Sequence, residues 1–192
     1  PGQARFTFLL LASIITIGSA VSATVSVHLF TILQTYGIAL SASVALGALV
    51  GPSQVAARAV EMLVGRYHHP IWTMLTSTLC TALGLGALWS GLPFVAVTLV
   101  FYGAGIGLAS IARGTLPLSL FGSNGYATLM GRLAMPSLVV QAAMPSAGAM
   151  LSAWMGAHGM LGVLVGLSIL NVLLVMLLAL STTKPSGRAV SQ

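Results

Sequence analysis

Charge is what this chain has least of. Of its 192 residues only 4% are Asp, Glu, Lys or Arg, and one residue alone, Glu61, is acidic. Soluble domains carry about 25% charged residues, because a water-facing surface requires them. A chain this poor in charge cannot clothe such a surface, so lipid must be its solvent. Cysteine is nearly absent too: Cys80 stands alone in an apolar run, which excludes an internal disulfide. The seven Lys and Arg residues are scattered singly, so the net charge of +6 forms no basic stripe and no footprint for nucleic acid. Low-complexity segments and soluble linker domains are also lacking.

What the sequence has is apolar length. Hydrophobic residues make up 57% of it, and the mean hydropathy is +1.04. A helical crossing needs roughly 20 apolar residues at about 1.5 Å each. Six such runs follow one another, at 6–34, 39–64, 71–89, 93–112, 126–154 and 157–180. Turn or polar residues separate them at 35–37, 65–70, 90–92, 113–125 and 155–156. The runs lack the strict alternation of a β-barrel. The expected fold is therefore all-α and transmembrane, one six-helix bundle spanning residues 1–192.

The cations set an orientation. With both termini cytoplasmic, Arg5, Arg58, Arg66, Arg113, Arg132, Lys184 and Arg188 all fall at the inner ends of spans or in inner loops. The three outer connections carry no Lys or Arg, as the positive-inside rule demands. Trp89 and Trp154 close spans on the outer side, and Tyr67 and Trp72 sit at the inner one, giving an aromatic belt at each interface. The first run loosely matches a signal peptide, with Arg5, an apolar stretch and Val21-Ser22-Ala23. It continues apolar to Phe30, however, and five further runs follow, so it reads as a span. The chain begins at Pro1 rather than Met and is expected to be a piece of something longer.

Polar residues inside the spans fall into stripes. In the first span Ser13, Thr16, Ala20, Thr24, His28, Thr31 and Thr35 share one helical face, while Ser19, Ser22 and Ser26 lie opposite. The serine face suits close helix packing. The Thr/His face is open to two readings: a pathway in which His28 meets solute, or a neutral histidine satisfied by a neighbouring carbonyl. The second span carries Ser43, Gly47, Gly51, Gln54, Arg58 and Glu61, with a kink expected at Pro52. Arg58 and Glu61 are spaced to form an i,i+3 ion pair. The fourth span sets Gly103, Gly105 and Gly107 beside Tyr102, a spacing that serves close helix approach or bending. Leu108 stands where a dinucleotide fingerprint needs its third glycine. The fifth span aligns Ser137, Gln141, Met144 and Gly148 on one face, with prolines at 136 and 145. Spans three and six read as plain, with Asn171 as helix–helix glue.

Enzyme chemistry finds no support in these residues. An intramembrane serine protease needs a nucleophile and a helical His facing each other, yet Gly122-Ser123 falls in a loop and His158 at the opposite side. His68 and His69 are adjacent, with no Cys, Asp or Glu nearby in that loop to complete a metal site. Neither a metal nor another cofactor is expected. Rings of charge and a carbonyl filter motif are missing, which weakens a channel reading. Spans two and five each combine an internal proline, a glutamine and an arginine near the cytoplasmic end. Such a match suits a three-plus-three inverted repeat.

Two stretches resemble a known family. Gly51-Pro52-Ser53-Gln54-Val55-Ala56-Ala57-Arg58, continuing to Gly65-Arg66, is similar to the second and third helices of a major facilitator superfamily half with their cytoplasmic loop. Ala112-Arg113-Gly114-Thr115-Leu116-Pro117, then Gly131-Arg132-Leu133-Ala134-Met135-Pro136 and Gln141, resembles the fourth-to-fifth-helix region of the C-terminal half in bacterial members. The family's loop motif usually carries an Asp; here Arg58 and Glu61 occupy that neighbourhood. The resemblance implies two six-helix bundles, with solute between them and rocking-bundle alternating access. It also implies that the first, second, fourth and fifth spans line the cavity. On this reading the chain is the C-terminal half of a secondary transporter in the bacterial inner membrane, and its partners are lipid, a small organic solute and the missing N-terminal half. Thr24, His28, Gln54, Tyr102 and Gln141 are expected in the pathway, and Arg58, Glu61, Arg113 and Arg132 at the cytoplasmic gate. An organic anion is the preferred solute, because those three arginines outnumber Glu61. The competing readings are a channel-like pore subunit and a non-transporting membrane scaffold.

Overall fold

The computed structural model describes residues 2–183, so Lys184 and Arg188 lie outside the described residues. Among the described residues the chain is helical throughout, with no strand. The helices are α1 (Gly2–Thr35), α2 (Leu40–Gly47), α3 (Val50–Val64), α4 (Pro70–Trp89), α5 (Val95–Phe121) and α6 (Tyr126–Thr183), with a 3-10 turn at Gly65–Tyr67 between α3 and α4. Five helical stretches are long and apolar enough to cross a membrane: α1, the broken stretch Leu40–Tyr67, α4, α5 and α6. This is a multi-pass arrangement.

Hydropathy misjudges two boundaries, each for a physical reason. The kink expected at Pro52 falls instead at Ala48 and Leu49, between α2 and α3. Pro52 is thereby left in the first turn of α3, where its missing N–H costs nothing. A proline ring clashes with the carbonyl four residues earlier, here that of Ala48, so the break forms upstream of the proline itself. The fourth span was expected to end at Ala112, yet α5 runs on to Phe121. Arg113 is a single cation inside this helix and does not end it. Gly122, with φ of 75°, is the residue that stops it.

The last helix is 58 residues long. Straight, it would extend about 87 Å, nearly three hydrocarbon thicknesses. It is not straight, because Gly156 adopts φ 74° and ψ 169°, a conformation open to glycine. Residues 126–155 and 157–183 form two arms that run in opposite directions along α1. Leu133 of the first arm shares a core cluster with Leu10, Leu11 and Ile14, and further along the arm the Pro145 carbonyl meets His28. The second arm starts with Met160 and Leu161 packed among Leu29 and Leu33, and ends with Val175 and Leu178 beside Leu10 and Leu11.

Partners are exchanged across the bundle. α1 lies against both arms of α6, α5 lies against α3 and α4, and α4 also meets α6. The fourth-span glycines serve close approach. Gly103 and Gly107 face the α3 backbone, and Gly105 faces α4 around Ser77 and Thr81. At one end the Tyr36 hydroxyl reaches the Trp89 carbonyl at 3.4 Å and His158 Nδ1 at 3.3 Å. The indole of Trp89 stacks on the His158 ring, with centroids 5.7 Å apart, which ties three helix ends together.

Candidate functional site

Two spaces with polar groups in their walls lie among the helices, and Tyr102 stands between them. The first is an open groove of about 430 Å³ bounded by α1, α2, α3 and α5. Ser22, Ser26, Phe30, Gly47, Gln54 and Tyr102 line it. Gln54 Oε1 accepts a 3.5 Å hydrogen bond from a terminal nitrogen of Arg58, and the buried Arg58 Nε has no partner. The second space is an inner cavity of about 40 Å³ between α1, α4, α5 and the second arm of α6. Its polar lining comes from Ser22, Ser77, Tyr102, Arg113, Ser168 and Asn171, among others. Both spaces touch Ser22, Tyr102 and Ile106, which form the partition. Tyr102 is only 2% exposed. Its hydroxyl has Ser22 as a polar neighbour but closes no hydrogen bond.

The hydroxyls of the inner cavity are mostly occupied. Ser77 donates to the Gly105 carbonyl at 2.8 Å, and Ser168 to that of Leu164 at 2.8 Å. Thr78 donates to Met74 and Leu75, and Thr81 to Ser77. With their protons directed at helix carbonyls, these groups turn only lone pairs to the space. Free donors remain on Arg113, Asn171, Ser22 and Tyr102.

Arg113 was expected at the mouth of a span. The structure sets it two turns inside α5, with its side chain in the inner cavity. A methyl placed on Gly18 would lie 3.7 Å from a terminal nitrogen of Arg113 and 3.4 Å from Asn171 Nδ2. Gly18 is near the midpoint of α1, so the guanidinium sits at mid-height in the bundle. No ion pair or hydrogen bond holds it among the described residues. The one acid in the chain is occupied elsewhere. Glu61 accepts from the Thr73 hydroxyl at 2.5 Å and faces His68 Nε2 at 3.6 Å. The expected Arg58–Glu61 pair does not form, because Glu61 reaches across to α4 while Arg58 turns back along α3 to Gln54.

The remaining candidates are dispersed. The Thr24 hydroxyl bonds the Ala20 carbonyl at 2.9 Å, and His28 Nε2 lies 3.1 Å from the Pro145 carbonyl. Both side chains press on Gly148 of α6. The Thr/His face of α1 is thus engaged with α6, and the serine face, read as packing, supplies Ser22 and Ser26 to the groove. Gln141 is exposed and lines neither space. Arg132 is exposed and lines a separate depression with Arg5 and Phe8. Gln54 and Tyr102 are the two pathway candidates that the structure brings together.

Sequence reasoning missed Ser77, Ser168 and Asn171 as cavity residues by treating spans three and six as plain. A usable signal existed: Thr73, Ser77 and Thr81 recur every four residues on α4, and Ser168 and Asn171 are three apart. Comparison with protein-family models, with curated proteins and with solved structures finds no match to this chain.

Proposed function

We propose that the chain is one six-crossing half of a secondary transporter of the major facilitator type, its C-terminal bundle. It moves a small organic solute across the bacterial inner membrane by rocking-bundle alternating access, with both ends of this segment cytoplasmic. The observation that carries the reading is the groove between α1, α3 and α5, where an amide, two serines and a tyrosine face a space inside a bundle of membrane-length helices. Polar groups at that depth are expensive and mark a pathway by default.

Other features support the reading. The reversal at Gly156 lets α6 supply a fifth and a sixth crossing. The first helix packs on the last two, and the helix that would begin the second triplet packs on α3 and α4. Such an exchange suits two interlocked repeats of three, each incomplete without the other. Gln54 and Arg58 favour a solute bearing carboxylate or hydroxyl groups, with the N-terminal half supplying the opposite wall. Arg58, with Glu61 one turn further on and Thr73 facing it from α4, forms the cytoplasmic gate.

Cysteine accessibility tests the groove and uptake tests the function. In a Cys80→Ala background, Ser26→Cys is expected to react with a membrane-impermeant thiol reagent and to be protected by a transported solute. Thr24→Cys, packed against Gly148, is expected to stay unreactive. Uptake into proteoliposomes by the full-length protein, screened over small organic anions, should fall at least tenfold in Gln54→Leu. Equal labelling at 24 and 26, or wild-type uptake in Gln54→Leu, would overturn the reading.

A further inference from the structure

The inner cavity holds two groups, Arg113 and Asn171, that solute transport through the groove does not use. An arginine keeps its charge in a protein interior. At membrane depth it requires a counter-charge, a carbonyl cage or water. Arg113 has no acid available, since Glu61 is held by Thr73 and His68, and no hydrogen bond ties it to a described residue. The groups around it are unsatisfied as well. The Tyr102 hydroxyl and Asn171 Oδ1 are both buried without partners, their residues 2% and 6% exposed. Donors from three elements converge on one small space: Arg113 and Tyr102 from α5, the Asn171 amide from α6 and Ser22 from α1.

We propose that this cavity is a binding site for a small inorganic monoanion of chloride size. Charge selects the class, because the cavity presents one fixed positive charge and contains no acid. Size narrows it further. The space of about 40 Å³ admits a halide with a water or two and excludes an organic acid the size of gluconate. The anion is held by the Arg113 guanidinium with the Asn171 amide and the two free hydroxyls, and a companion water donates to the remaining Asn171 oxygen. Charge-assisted hydrogen bonds of this kind are about twice as strong as neutral ones. By joining α1, α5 and α6 the ion would act as a fixed part of the bundle. The site shares the Ser22 and Tyr102 partition with the groove, but Arg113 and Asn171 line the inner cavity and not the groove, so the melting test reads the ion without any transported solute.

Thermal unfolding of the full-length protein in detergent tests the site, with chloride replacing gluconate at constant ionic strength. A ligand that binds only the folded state raises the unfolding temperature saturably. The expected result is such a rise with chloride and bromide and none with gluconate. Arg113→Gln should weaken the apparent chloride affinity at least tenfold, and Tyr102→Phe severalfold. Gly18→Val fills the space beside both nitrogens while keeping the charge, and should weaken chloride by a similar factor. Arg5→Gln, on the surface, should retain the full response. If Arg113→Gln does not fold, the Gly18→Val series decides, together with anomalous diffraction from crystals grown in bromide. The bromide peak is expected within hydrogen-bond reach of Arg113. Identical unfolding in chloride and gluconate, a response that survives Gly18→Val, or a bromide map with no peak there would each overturn the proposal and leave the cavity to water.

Discussion

Gly107→Val should leave little folded protein. A β-carbon at position 107 would lie 2.5 Å from the Gln54 carbonyl oxygen, 2.9 Å from Gln54 Cα and 3.0 Å from its carbonyl carbon. All three are backbone atoms, so no rotamer change can relieve the contact, and α3 itself has to move away from α5. Overpacking costs up to about 3 kcal/mol even where side chains can adjust, and here they cannot. Much of what holds α3 to the bundle is its contact with α5, with the Glu61–Thr73 hydrogen bond adding a link to α4. Displacing α3 also dismantles the groove, since Gln54 lines it. Gly114→Ala on the same helix meets open space and should behave as wild type. Size-exclusion profiles and unfolding temperatures of the two variants, compared in one detergent, check the contrast. A monodisperse Gly107→Val protein melting with the wild type would refute the packing argument.

The second large effect is expected at Tyr102, where two substitutions separate volume from polarity. Tyr102→Ala should destabilise the bundle by about 3–5 kcal/mol, the range for deleting a buried aromatic ring. The ring packs among Leu85, Leu99, Val25 and Leu29, and lost dispersion contacts are felt in lipid as in water. Its loss also merges the inner cavity with the groove, so on the proposed transport reading uptake should fall even at temperatures where the variant remains folded. Tyr102→Phe keeps the ring and removes a hydroxyl that is buried without a hydrogen bond. Leaving such a group unsatisfied costs about 1–3 kcal/mol, so in chloride-free buffer the Phe variant should melt no lower than wild type. Parallel melting curves and uptake assays measure both. A Tyr102→Phe protein as unstable as Tyr102→Ala would mean that the hydroxyl is bonded after all.

How much of this could be read in the sequence depends on the residue type that carried the information. Apolar length revealed the helices, because a run of about 20 residues has few uses other than crossing lipid. The reversal at residues 155–156 was visible as well, since Gly156 interrupts two long runs. The position of Arg113 was not visible. A hydropathy reading treats a cation as a boundary, and nothing local distinguishes one facing an inner cavity from one facing the cytoplasm. Ser77 and Ser168 stayed hidden for a different reason: their hydroxyls bond helix carbonyls, so they pass as neutral small residues until the lone pairs left over are located in space. Periodicity did resolve the two faces of α1, but a period carries no information about which neighbour each face meets. Only the packing shows Thr24 and His28 against α6, and Ser22 and Ser26 on the groove.

The exchange of partners across the bundle also sets a timetable for its synthesis. The core around α1 draws on residues from both arms of α6, the last helix of the described chain. At 5–20 residues per second, α1 leaves the ribosome on the order of ten seconds before the segment that packs against it. The first helix must therefore wait in the bilayer with its Leu11, Ile14 and Leu33 surfaces covered only by lipid or a membrane chaperone. Helices α3 and α4 wait in the same way for α5. A chain arrested ahead of residue 157 would hold most of its crossings and the packing of α5 on α3 and α4, but α1 would still lack Met160, Leu161, Val175 and Leu178, so quality control has a late event to monitor: arrival of the second arm.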